Sequence, residues 1–316
     1  MNLKDYDLLI KISKMYYEDK KTQEEISKEV FISRPQISRA LKKALDLGII
    51  EIKIKSPLER DINLEQTLNK KFKSIHIRIA QTYYDNFEEA NIKTFQLAAN
   101  YIKNIAKNNM LIGVTWGKTL RGVVDELYVK KNLTNIQIIQ LAGNININNP
   151  LYFGSEITKD FAYKFKAQYV HTTVPLYVEN NSIKNSIVDN NLLQKTLELG
   201  EKCNLAILGV GNLLSWSNVL DKKSYNELLK KKAVGHILGY FFNKNGCIIK
   251  SKLHDNIIAV DRNLLFNKKV NRVAIATGVD KAEAILGLLN SNMISTLITD
   301  YHTAKKIIEL DTEFSK

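Results

Sequence analysis

Two sets of side chains in this 316-residue sequence have the types and spacing needed to bind an anion. The first set is basic and contains Arg34, Arg39, Lys42 and Lys43, with no acidic residue anywhere between residues 33 and 43. Guanidinium and amide groups can hydrogen-bond to the edges of bases, and lysines pair with phosphates. This segment therefore has the chemistry for binding a nucleic acid.

The second set is rich in glycine, threonine and asparagine, and its members follow apolar segments typical of buried strands. They are Gly113, Thr115, Gly117, Thr119, Gly143, Asn144, Gly209, Gly211, Asn212, Thr277, Gly278 and Lys281. Glycine lets backbone N–H groups come close to a phosphate, and a helix that starts after such a turn favours an anion. The pattern predicts a site for a small anionic ligand, although glycine also closes many such turns for steric reasons alone.

The basic segment is predicted to be a helix that follows another helix after a tight turn. Thr22 with Glu25, and Ser33 with Gln36, have the spacing of capping boxes, which satisfy the free backbone groups at a helix start. Apolar residues recur at helical spacing after each box and also over residues 3–18, where they predict a first helix. The sequence therefore predicts three short helices.

Gly48 is placed to end the third helix, and the alternation of isoleucine with charged residues over 50–55 predicts a strand. Three helices and a strand describe a helix-turn-helix with a wing-like extension. The residues predicted to bind DNA are Thr22, Ser33, Arg34, Gln36, Ser38, Arg39, Lys42 and Lys43. We expect base contacts from the first turns of the helix and phosphate contacts from its two lysines. A helical hairpin with a solvated basic face is the alternative.

The rest of the sequence alternates β-branched segments with helical ones, which is typical of an α/β domain on a mostly parallel sheet. Strands are predicted over 74–80, 110–115, 136–143, 204–211, 272–277 and 295–300. Helices are predicted over 87–107, 118–129, 155–166, 187–200, 280–290 and 301–310. Such sheets bind ligands at the carboxyl ends of their strands.

Three regions follow from these patterns. Residues 1–56 are predicted to form the helix-turn-helix domain, and residues 74–316 the α/β effector domain. Leu64 and Leu68, at helical spacing, predict a linker helix over 57–73 between the two domains.

The composition favours a cytoplasmic protein with an anionic partner. The net charge is +13, but residues 1–58 hold 12 basic and 9 acidic residues and the rest hold 34 and 24, so only local clusters are informative. Cys203 and Cys247 are too few for a disulfide framework. The N-terminal segment lacks the apolar region of a signal peptide, and no apolar run approaches the roughly 20 residues of a membrane helix.

The histidines do not have the spacing of metal ligands, since no two are four residues apart. They are His76, His171, His236, His254 and His302. The sequence also contains no G-x-S-x-G motif and no complete P-loop or dinucleotide fingerprint. We therefore predict no catalytic residues, no metal site and no cofactor.

Six segments, taken in order along the chain, carry a resemblance: YYEDKKTQEEISKEVFISRPQISRALKKALDLGIIEIKI near the N-terminus, then IGVTWGKTL, IQIIQLAGN, NLAILGVGNL, AVGHILGYFFNKNG and AIATGVDKAEAILGLLNSNMISTLITDYHTAKKII. Together they resemble the SorC-type sugar-binding transcriptional regulators of bacteria, which are often grouped with the DeoR regulators. The resemblance implies an effector domain similar to ribose-5-phosphate isomerase and glucosamine-6-phosphate deaminase. It also implies operator DNA as partner, a phosphorylated sugar as effector, and a homodimer or homotetramer.

By position, the resemblance implies a set of effector-binding residues. They are Thr115, Trp116, Gly117, Thr119, Gly143, Asn144, Gly209, Val210, Gly211, Gly278 and Lys281. Lys281 would pair with the phosphate. The sequence departs from the family pattern at His236 and Asn243, which stand where Asp is usual, and Ala142 excludes a Schiff base at that point.

Two alternatives to a sugar-responsive regulator, which we expect to be a repressor of carbohydrate genes, remain open at this point. One is a sugar-phosphate isomerase or deaminase that carries an accessory helix-turn-helix. The other is a DNA-binding protein whose α/β domain serves only to form oligomers.

Overall fold

The computed structural model describes residues 3–50, 60–82, 86–130, 132–145, 149–189 and 191–314. The chain forms two compact units, which divide between residues 56 and 57. The described part of the smaller unit is helical, and the larger unit is an α/β domain with helices around a mostly parallel sheet. The predicted fold class is confirmed.

The smaller unit consists of helices α1 (Leu3–Tyr17), α2 (Gln23–Val30) and α3 (Arg34–Asp46). Their apolar faces meet in a small core that is made of Ile12, Met15, Ile26, Ile37 and Leu41. Each helix buries one apolar stripe and leaves its other faces to solvent, as the helical spacing of these residues predicts.

Both predicted caps are present at the helix starts. Thr22 Oγ1 accepts a hydrogen bond from the Glu25 backbone N–H at 3.3 Å, and Glu25 Oε2 accepts one from the Thr22 N–H at 2.8 Å. At the second start, Gln36 Oε1 accepts a hydrogen bond from the Ser33 N–H at 2.9 Å. The two helices therefore begin where the sequence predicts. The predicted strand over 50–55 lies, from residue 51 on, outside the described residues.

The turn between α2 and α3 contains a bulky residue in an unfavourable backbone conformation. Phe31 ends α2 with a left-handed φ of 56°, and its side chain is 91% exposed. This conformation costs a residue other than glycine roughly 1–2 kcal/mol. Gly48 follows α3 with a similar φ of 69°, which glycine adopts readily.

The strands of the larger unit are β1 (His76–Ala80), β2 (Leu111–Val114), β3 (Gln137–Gln140), β4 (Gln168–Val170), β5 (Leu205–Asn212), β6 (Ala233–Ile237), β7 (Tyr240–Asn243), β8 (Asn271–Ile275) and β9 (Thr296–Asp300). The helices are α4 (Ile62–Lys71), α5 (Phe87–Ile105), α6 (Lys118–Asp125), α7 (Gly154–Phe165), α8 (Asn181–Val188), α9 (Asn191–Gly200), α10 (Lys222–Lys230), α11 (Ala282–Leu289) and α12 (Tyr301–Phe314). The strand order is β1-β9-β8-β5-β2-β3-β4, and all neighbours in this series are parallel.

The parallel sheet is buried on both faces. In β5, Leu205 and Ile207 pack into one apolar cluster, whereas Ala206 and Leu208 pack into another. Successive side chains of a strand point to opposite faces, so the two clusters lie on the two sides of the sheet. This double burial explains the continuous apolar runs in the strand sequences.

A β-hairpin extends the sheet beyond the parallel strands. β6 pairs antiparallel with the end of β5, through Val210 with Ile237 and Asn212 with Gly235, and β7 pairs with β6. The sequence-based assignment did not contain this hairpin, because glycines interrupt its apolar pattern. It also lacked β4, which has only three residues and is largely exposed, and α10. The predicted helix over 187–200 is instead the pair α8 and α9.

Helix α4 packs in the larger unit, although the sequence predicts a linker there. The buried Glu65 accepts a hydrogen bond from the Ile79 backbone N–H of β1 at 2.9 Å and forms an ion pair with Arg60. Asn69 accepts a second hydrogen bond from β1, from the Ile77 N–H at 2.9 Å. Lys71 forms an ion pair with Asp311 of α12. These contacts fix α4 to the sheet edge.

Candidate functional site

Helix α3 presents a polar, basic surface on the side away from its core. Ile37, Leu41 and Ala44 are buried, and with 100° of rotation per residue Arg39 lies opposite this stripe. All the predicted DNA-binding side chains are exposed, namely Thr22, Ser33, Arg34, Gln36, Ser38, Arg39, Lys42 and Lys43. The smaller unit therefore offers these groups to a partner without any rearrangement of its core.

The larger unit contains a cavity at the point where its topology changes direction. From β2 the chain continues to β3 and β4 on one side, and from β5 it continues to β8 and β9 on the other. Ligands of open α/β sheets bind at such a switch point, outside the carboxyl ends of the strands. The cavity there measures about 300 Å³, and the described residues that line it are Thr115, Trp116, Gly117, Lys118, Thr119, Ile145, Tyr152, Gly209, Val210, Gly211, Asn212, Ser215, Trp216, His236, Asp280 and Lys281.

Most of the effector-binding residues that the resemblance implies meet at this cavity. They are Thr115, Trp116, Gly117, Thr119, Gly209, Val210, Gly211 and Lys281. They come from the loop after β2 and the start of α6, from the end of β5, and from the loop after β8, which are far apart in sequence. Gly143, Asn144 and Gly278 are not among the residues that line it.

Gly143 and Asn144 instead join the segment after β3 to neighbouring segments of the chain. A Cβ atom on Gly143 would lie 2.4 Å from the Pro175 carbonyl oxygen, so only glycine fits there. The Asn144 N–H donates to the Val174 carbonyl oxygen at 2.8 Å, and Asn144 Oδ1 accepts from the Ser155 N–H at 3.2 Å. Both residues hold neighbouring segments together.

Gly278 belongs to a buried hydrogen-bond network that shapes the loop before Lys281. The carboxylate of Asp300, which is buried, accepts hydrogen bonds from the Thr277 hydroxyl at 2.8 Å and from the Gly278 N–H at 3.1 Å. It also accepts from the Thr303 N–H at 2.8 Å and from the Thr303 hydroxyl at 2.5 Å. Gly278 has a φ of 111°, which favours glycine.

The loop after β2 is joined directly to the end of β5. The Gly209 N–H donates to Thr115 Oγ1 at 3.1 Å, and the Thr115 N–H donates to the Ile207 carbonyl oxygen at 3.2 Å. Gly117 precedes α6 with a φ of 108°, and its N–H donates to the Tyr152 carbonyl oxygen at 3.0 Å. The start of α6 is therefore held against the cavity.

The cavity carries more positive than negative charge. Lys118 and Lys281 line it together with one carboxylate, Asp280, which accepts a hydrogen bond from the Asn212 side chain at 2.9 Å. Within the described chain the Lys281 amine has no hydrogen-bond or ion-pair partner at hydrogen-bond distance. Burial, more than the nearby charge of Lys118, lowers the pKa of Lys281. A partly buried ammonium without such a partner favours an anionic ligand.

Three aromatic rings form another part of the lining. The rings of Trp116 and His236 stack with centroids 6.3 Å apart, and Trp216 meets His236 edge-on at 5.2 Å. Burial, with a smaller contribution from the charge of Lys281, lowers the pKa of His236 to about 3. The imidazole is therefore neutral at physiological pH.

The sequence-based prediction missed several lining residues. They are Lys118, Ile145, Tyr152, Ser215, Trp216, His236 and Asp280. One signal was available, because the chain has only two tryptophans and both line the cavity. His236 was noted only as a departure from the family pattern, and no local pattern predicted its place in the site, since it reaches the cavity through the unpredicted hairpin.

Two other kinds of site are absent from the described residues. They contain no group of three or more histidine, cysteine, aspartate or glutamate side chains that could hold a metal ion. They also contain no helix with the length and apolar character needed to cross a bilayer.

Comparison with known proteins gives consistent matches along the chain. The family model described as "Putative sugar-binding domain" matches residues 56–309. The deoxyribonucleoside regulator of Bacillus subtilis is 26% identical over 312 residues, which are 98% of this chain and 99% of that protein. The sorbitol operon regulator of Klebsiella pneumoniae is 24% identical over 314 residues, or 98% and 99% of the two chains.

Solved structures share the fold. The crystal structure of a transcriptional regulator from Streptococcus pneumoniae is 26% identical, with a TM-score of 0.73 over 79% of this chain and 97% of that one. The full-length sorbitol operon regulator SorC from Klebsiella pneumoniae is 24% identical, with a TM-score of 0.73 over 96% and 99% of the two chains. With the family match over most of its length, the chain belongs to the SorC-type sugar-binding transcriptional regulators.

Proposed function

We propose that this protein represses carbohydrate genes by binding operator DNA through α3, and that a phosphorylated sugar in the cavity controls this binding. One observation carries the effector half of the proposal. Lys281 places a partly buried cation, without a hydrogen-bond partner among the described residues, in a cavity of about 300 Å³ at the carboxyl ends of the strands. A phosphate dianion would supply the missing partner.

The backbone of the same site is suited to a phosphate. The turns at Gly117 and Gly278 have positive φ angles and precede α6 and the helical segment that starts at Val279. N–H groups at a helix start carry partial positive charge, and at the start of α6 the Thr119 N–H would direct this charge at an anion. The Lys281 N–H already donates to the Gly278 carbonyl oxygen at 2.9 Å, so Lys281 would bind the phosphate through its side-chain amine. This arrangement supports Thr119 and Lys281 as phosphate-binding residues.

Calorimetry with a panel of sugar monophosphates tests the effector site. Wild-type protein should bind at least one of them, and Lys281→Ala should weaken that binding by tenfold or more while DNA binding without ligand stays nearly intact. Lys268→Ala, which removes an exposed lysine of the same unit, is the matched control and should bind as wild type does. If wild type binds no sugar phosphate, the effector proposal is wrong.

The DNA half of the proposal is tested with α3 variants. Arg39→Ala should cost about 1–3 kcal/mol at the operator and relax sequence preference, because a lost base contact affects the cognate site most. Lys43→Ala should weaken binding to all sequences and flatten its salt dependence. Fluorescence anisotropy at several salt concentrations separates these effects. Equal, sequence-independent losses from both variants would contradict the assignment.

Coupling between the two functions requires an oligomer in this proposal. A single helix-turn-helix makes few contacts, so specific binding usually needs paired half-sites about 34 Å apart. An effector that prefers one subunit arrangement by about 1–3 kcal/mol would change operator affinity roughly 5–150-fold. We therefore propose a homodimer or homotetramer that acts in the cytoplasm. Analytical ultracentrifugation should show no monomer at micromolar concentration.

We infer that the cavity binds its ligand without turnover. Its described ionisable groups besides lysine are Tyr152, Asp280 and His236. Asp280 is tied to Asn212, and the low pKa of His236 makes it a weak base. Isomerase and deaminase assays on each sugar phosphate that binds should therefore show no product. Turnover would support the enzyme alternative, and a complete lack of ligand would support a domain that serves only in assembly.

A further inference from the structure

A basic groove of about 740 Å³ lies in the larger unit and shares no lining residue with the cavity. Five cationic side chains and two carboxylates line it, which leaves an excess of three positive charges. The cations are Lys223, Lys231, Lys250, Lys252 and Arg262. Unlike the net charge of the chain, a local cluster of one sign in a concave site indicates a partner of the opposite charge.

Hydrogen bonds between α10 and the segment after β7 hold the walls of the groove together. Glu227 of α10 accepts from Lys231 Nζ at 2.6 Å and from Ser251 Oγ at 3.1 Å. Lys231 Nζ also donates to the Lys250 carbonyl oxygen at 2.6 Å. Lys231 and Glu227 therefore neutralise each other, and the two walls are joined before any ligand binds.

The other four cations of the groove are not paired in this way. Within the described chain, the side chains of Lys223, Lys250, Lys252 and Arg262 form no hydrogen bond and no ion pair, and all four are exposed. Asp255 is the one lining carboxylate among the described residues that remains to offset them. These cations can therefore turn towards an anion without breaking an existing contact.

His254 adds a fixed hydrogen-bond donor to these charges. Its Nε2 accepts from the Phe241 N–H at 3.0 Å, so the neutral ring carries its proton on Nδ1. The ring also stacks on Phe241, with centroids 6.0 Å apart. Burial, more than the charge of Arg262, lowers the pKa of His254 to about 4, so the ring is neutral at pH 7.

The Nδ1–H of His254 is within reach of a ligand. His254 lines the groove, and its Nδ1 has no partner within the described chain. This atom is not one of the unpartnered polar atoms that are sealed from solvent there, whereas His236 Nδ1 is. A ligand in the groove can therefore accept a hydrogen bond from a recessed donor and pair with the cations around it.

The excess charge indicates what kind of anion the groove would hold. A single phosphate carries about two negative charges, fewer than the three positive charges in excess. A pyrophosphate or triphosphate group carries more charge, and it has more oxygens to share among cations from α10, from residues 250–252 and from Arg262. A guanidinium pairs with two phosphate oxygens at once, and lysines add point charges.

We propose that this groove is a second ligand site, which binds the oligophosphate group of a small molecule through Lys252, Arg262 and the Nδ1–H of His254. Two sources supply such a group, namely inorganic pyrophosphate or triphosphate and the nucleoside triphosphates. The site does not depend on the proposed phosphosugar function, because no residue lines both the groove and the cavity.

Calorimetry on the full chain, in buffer without divalent cations, tests the groove. The probes are pyrophosphate, tripolyphosphate and ATP, with inorganic phosphate for comparison. Lys281→Ala serves as the background, because it removes a cation of the cavity and leaves the groove intact. In this background tripolyphosphate should bind at least tenfold more tightly than inorganic phosphate. ATP of equal affinity would assign the site to nucleotides, and weaker binding of ATP would assign it to inorganic oligophosphates.

In the same background, Lys252→Ala combined with Arg262→Ala should weaken the binding of tripolyphosphate at least tenfold. Lys268→Ala combined with Lys269→Ala is the charge-matched control, since it removes two exposed lysines of the same unit that do not line the groove. This control should bind as the background does. A second measurement is NMR of ¹⁵N-labelled histidine, in which the Nδ1 signal of His254 should shift with tripolyphosphate but stay constant in the groove variant.

The outcomes separate this proposal from the phosphosugar function. If sugar phosphates bind to wild type but tripolyphosphate does not bind to the Lys281→Ala protein, only the groove proposal is wrong. Equal losses in the groove variant and its control would show an effect of overall charge and would also overturn it. If the groove variant loses affinity for non-operator duplex DNA but not for tripolyphosphate, the groove is a DNA-binding surface and the proposal is wrong.

Discussion

The two units bring their functional residues together over very different distances in the sequence. In the smaller unit, the proposed DNA-binding residues other than Thr22 lie within residues 33–43 of one helix. In the larger unit, the cavity is lined by segments from residue 115 to residue 281, which only the sheet brings together. The first arrangement depends on local helix signals, and the second depends on packing between distant elements. Substitutions should therefore have local effects in one unit and long-range effects in the other.

Acidification should produce the largest difference in stability between the two units, because every histidine lies in the larger one. Burial lowers the pKa of His236 to about 3 and that of His254 to about 4. A histidine in the unfolded chain has a pKa near 6.5, so below that pH the unfolded chain binds protons that the folded chain does not bind. The free energy of unfolding should fall by roughly 1.4 kcal/mol per pH unit for each histidine, down to about pH 4 for His254 and about pH 3 for His236.

Urea unfolding at pH 7, 6 and 5 measures this loss, because few carboxylates titrate in that range. His254→Gln is the control variant: it keeps an acceptor for the Phe241 N–H, which donates to His254 Nε2 at 3.0 Å, but it does not titrate. It should remove the His254 part of the acid sensitivity and leave the parts due to His236 and to His76, whose pKa burial also lowers. A stability that stays constant from pH 7 to pH 5 would contradict the assignment of neutral, buried rings.

Two glycines provide the next comparison. A Cβ on Gly143 would lie 2.4 Å from the backbone oxygen of Pro175, whereas a Cβ on Gly48 would have no atom within 4 Å. Gly143→Ala should therefore lower the free energy of unfolding by about 3 kcal/mol, through overpacking against rigid backbone. Gly48→Ala should cost only about 1 kcal/mol, for its positive φ. Thermal and urea unfolding check both values, and equal losses would contradict the difference between packing and local conformation.

Asp300 and Thr22 both accept hydrogen bonds from backbone N–H groups, but the Gly278 donor of Asp300 lies far away in sequence and the Glu25 donor of Thr22 lies close by. Asp300 accepts hydrogen bonds from Thr277 and Gly278, more than twenty residues away, whereas Thr22 caps α2 through Glu25. Asp300→Asn places an amide against these donors and should cost about 2 kcal/mol of stability, and it should also weaken phosphate binding. Thr22→Ala should cost about 1 kcal/mol. If Asp300→Asn leaves phosphate affinity unchanged in calorimetry, the network does not position the loop at Lys281.

The smallest effect is expected in the turn between α2 and α3. Phe31 has a left-handed φ and buries almost nothing, so Phe31→Gly should raise the free energy of unfolding by up to about 1 kcal/mol. Phe31→Ala keeps the unfavourable conformation and should show no such gain. Urea unfolding of the three proteins decides this, and a loss of stability in Phe31→Gly would show that the exposed ring makes a stabilising contact.

The elements of both units follow largely from the sequence. The caps at Thr22 and Ser33 and the apolar periodicity predicted α2 and α3, and the β-branched segments predicted β1, β2, β3, β5, β8 and β9. The prediction failed at β4 and at the hairpin of β6 and β7. Their segments are short, polar or interrupted by glycine, so their strand structure comes from pairing with neighbours.

The sequence by itself determined the local features, because capping, helical periodicity and glycine-ended strands depend on residues only a few positions apart. These features include the basic surface of α3 and the turns at Gly117 and Gly278. The tertiary structure decided what surrounds those turns. In it, His236 of the hairpin contacts both tryptophans, and Gly143 lies outside the cavity lining. Such neighbours are set by strand order and packing across a sheet, which no short stretch of sequence encodes.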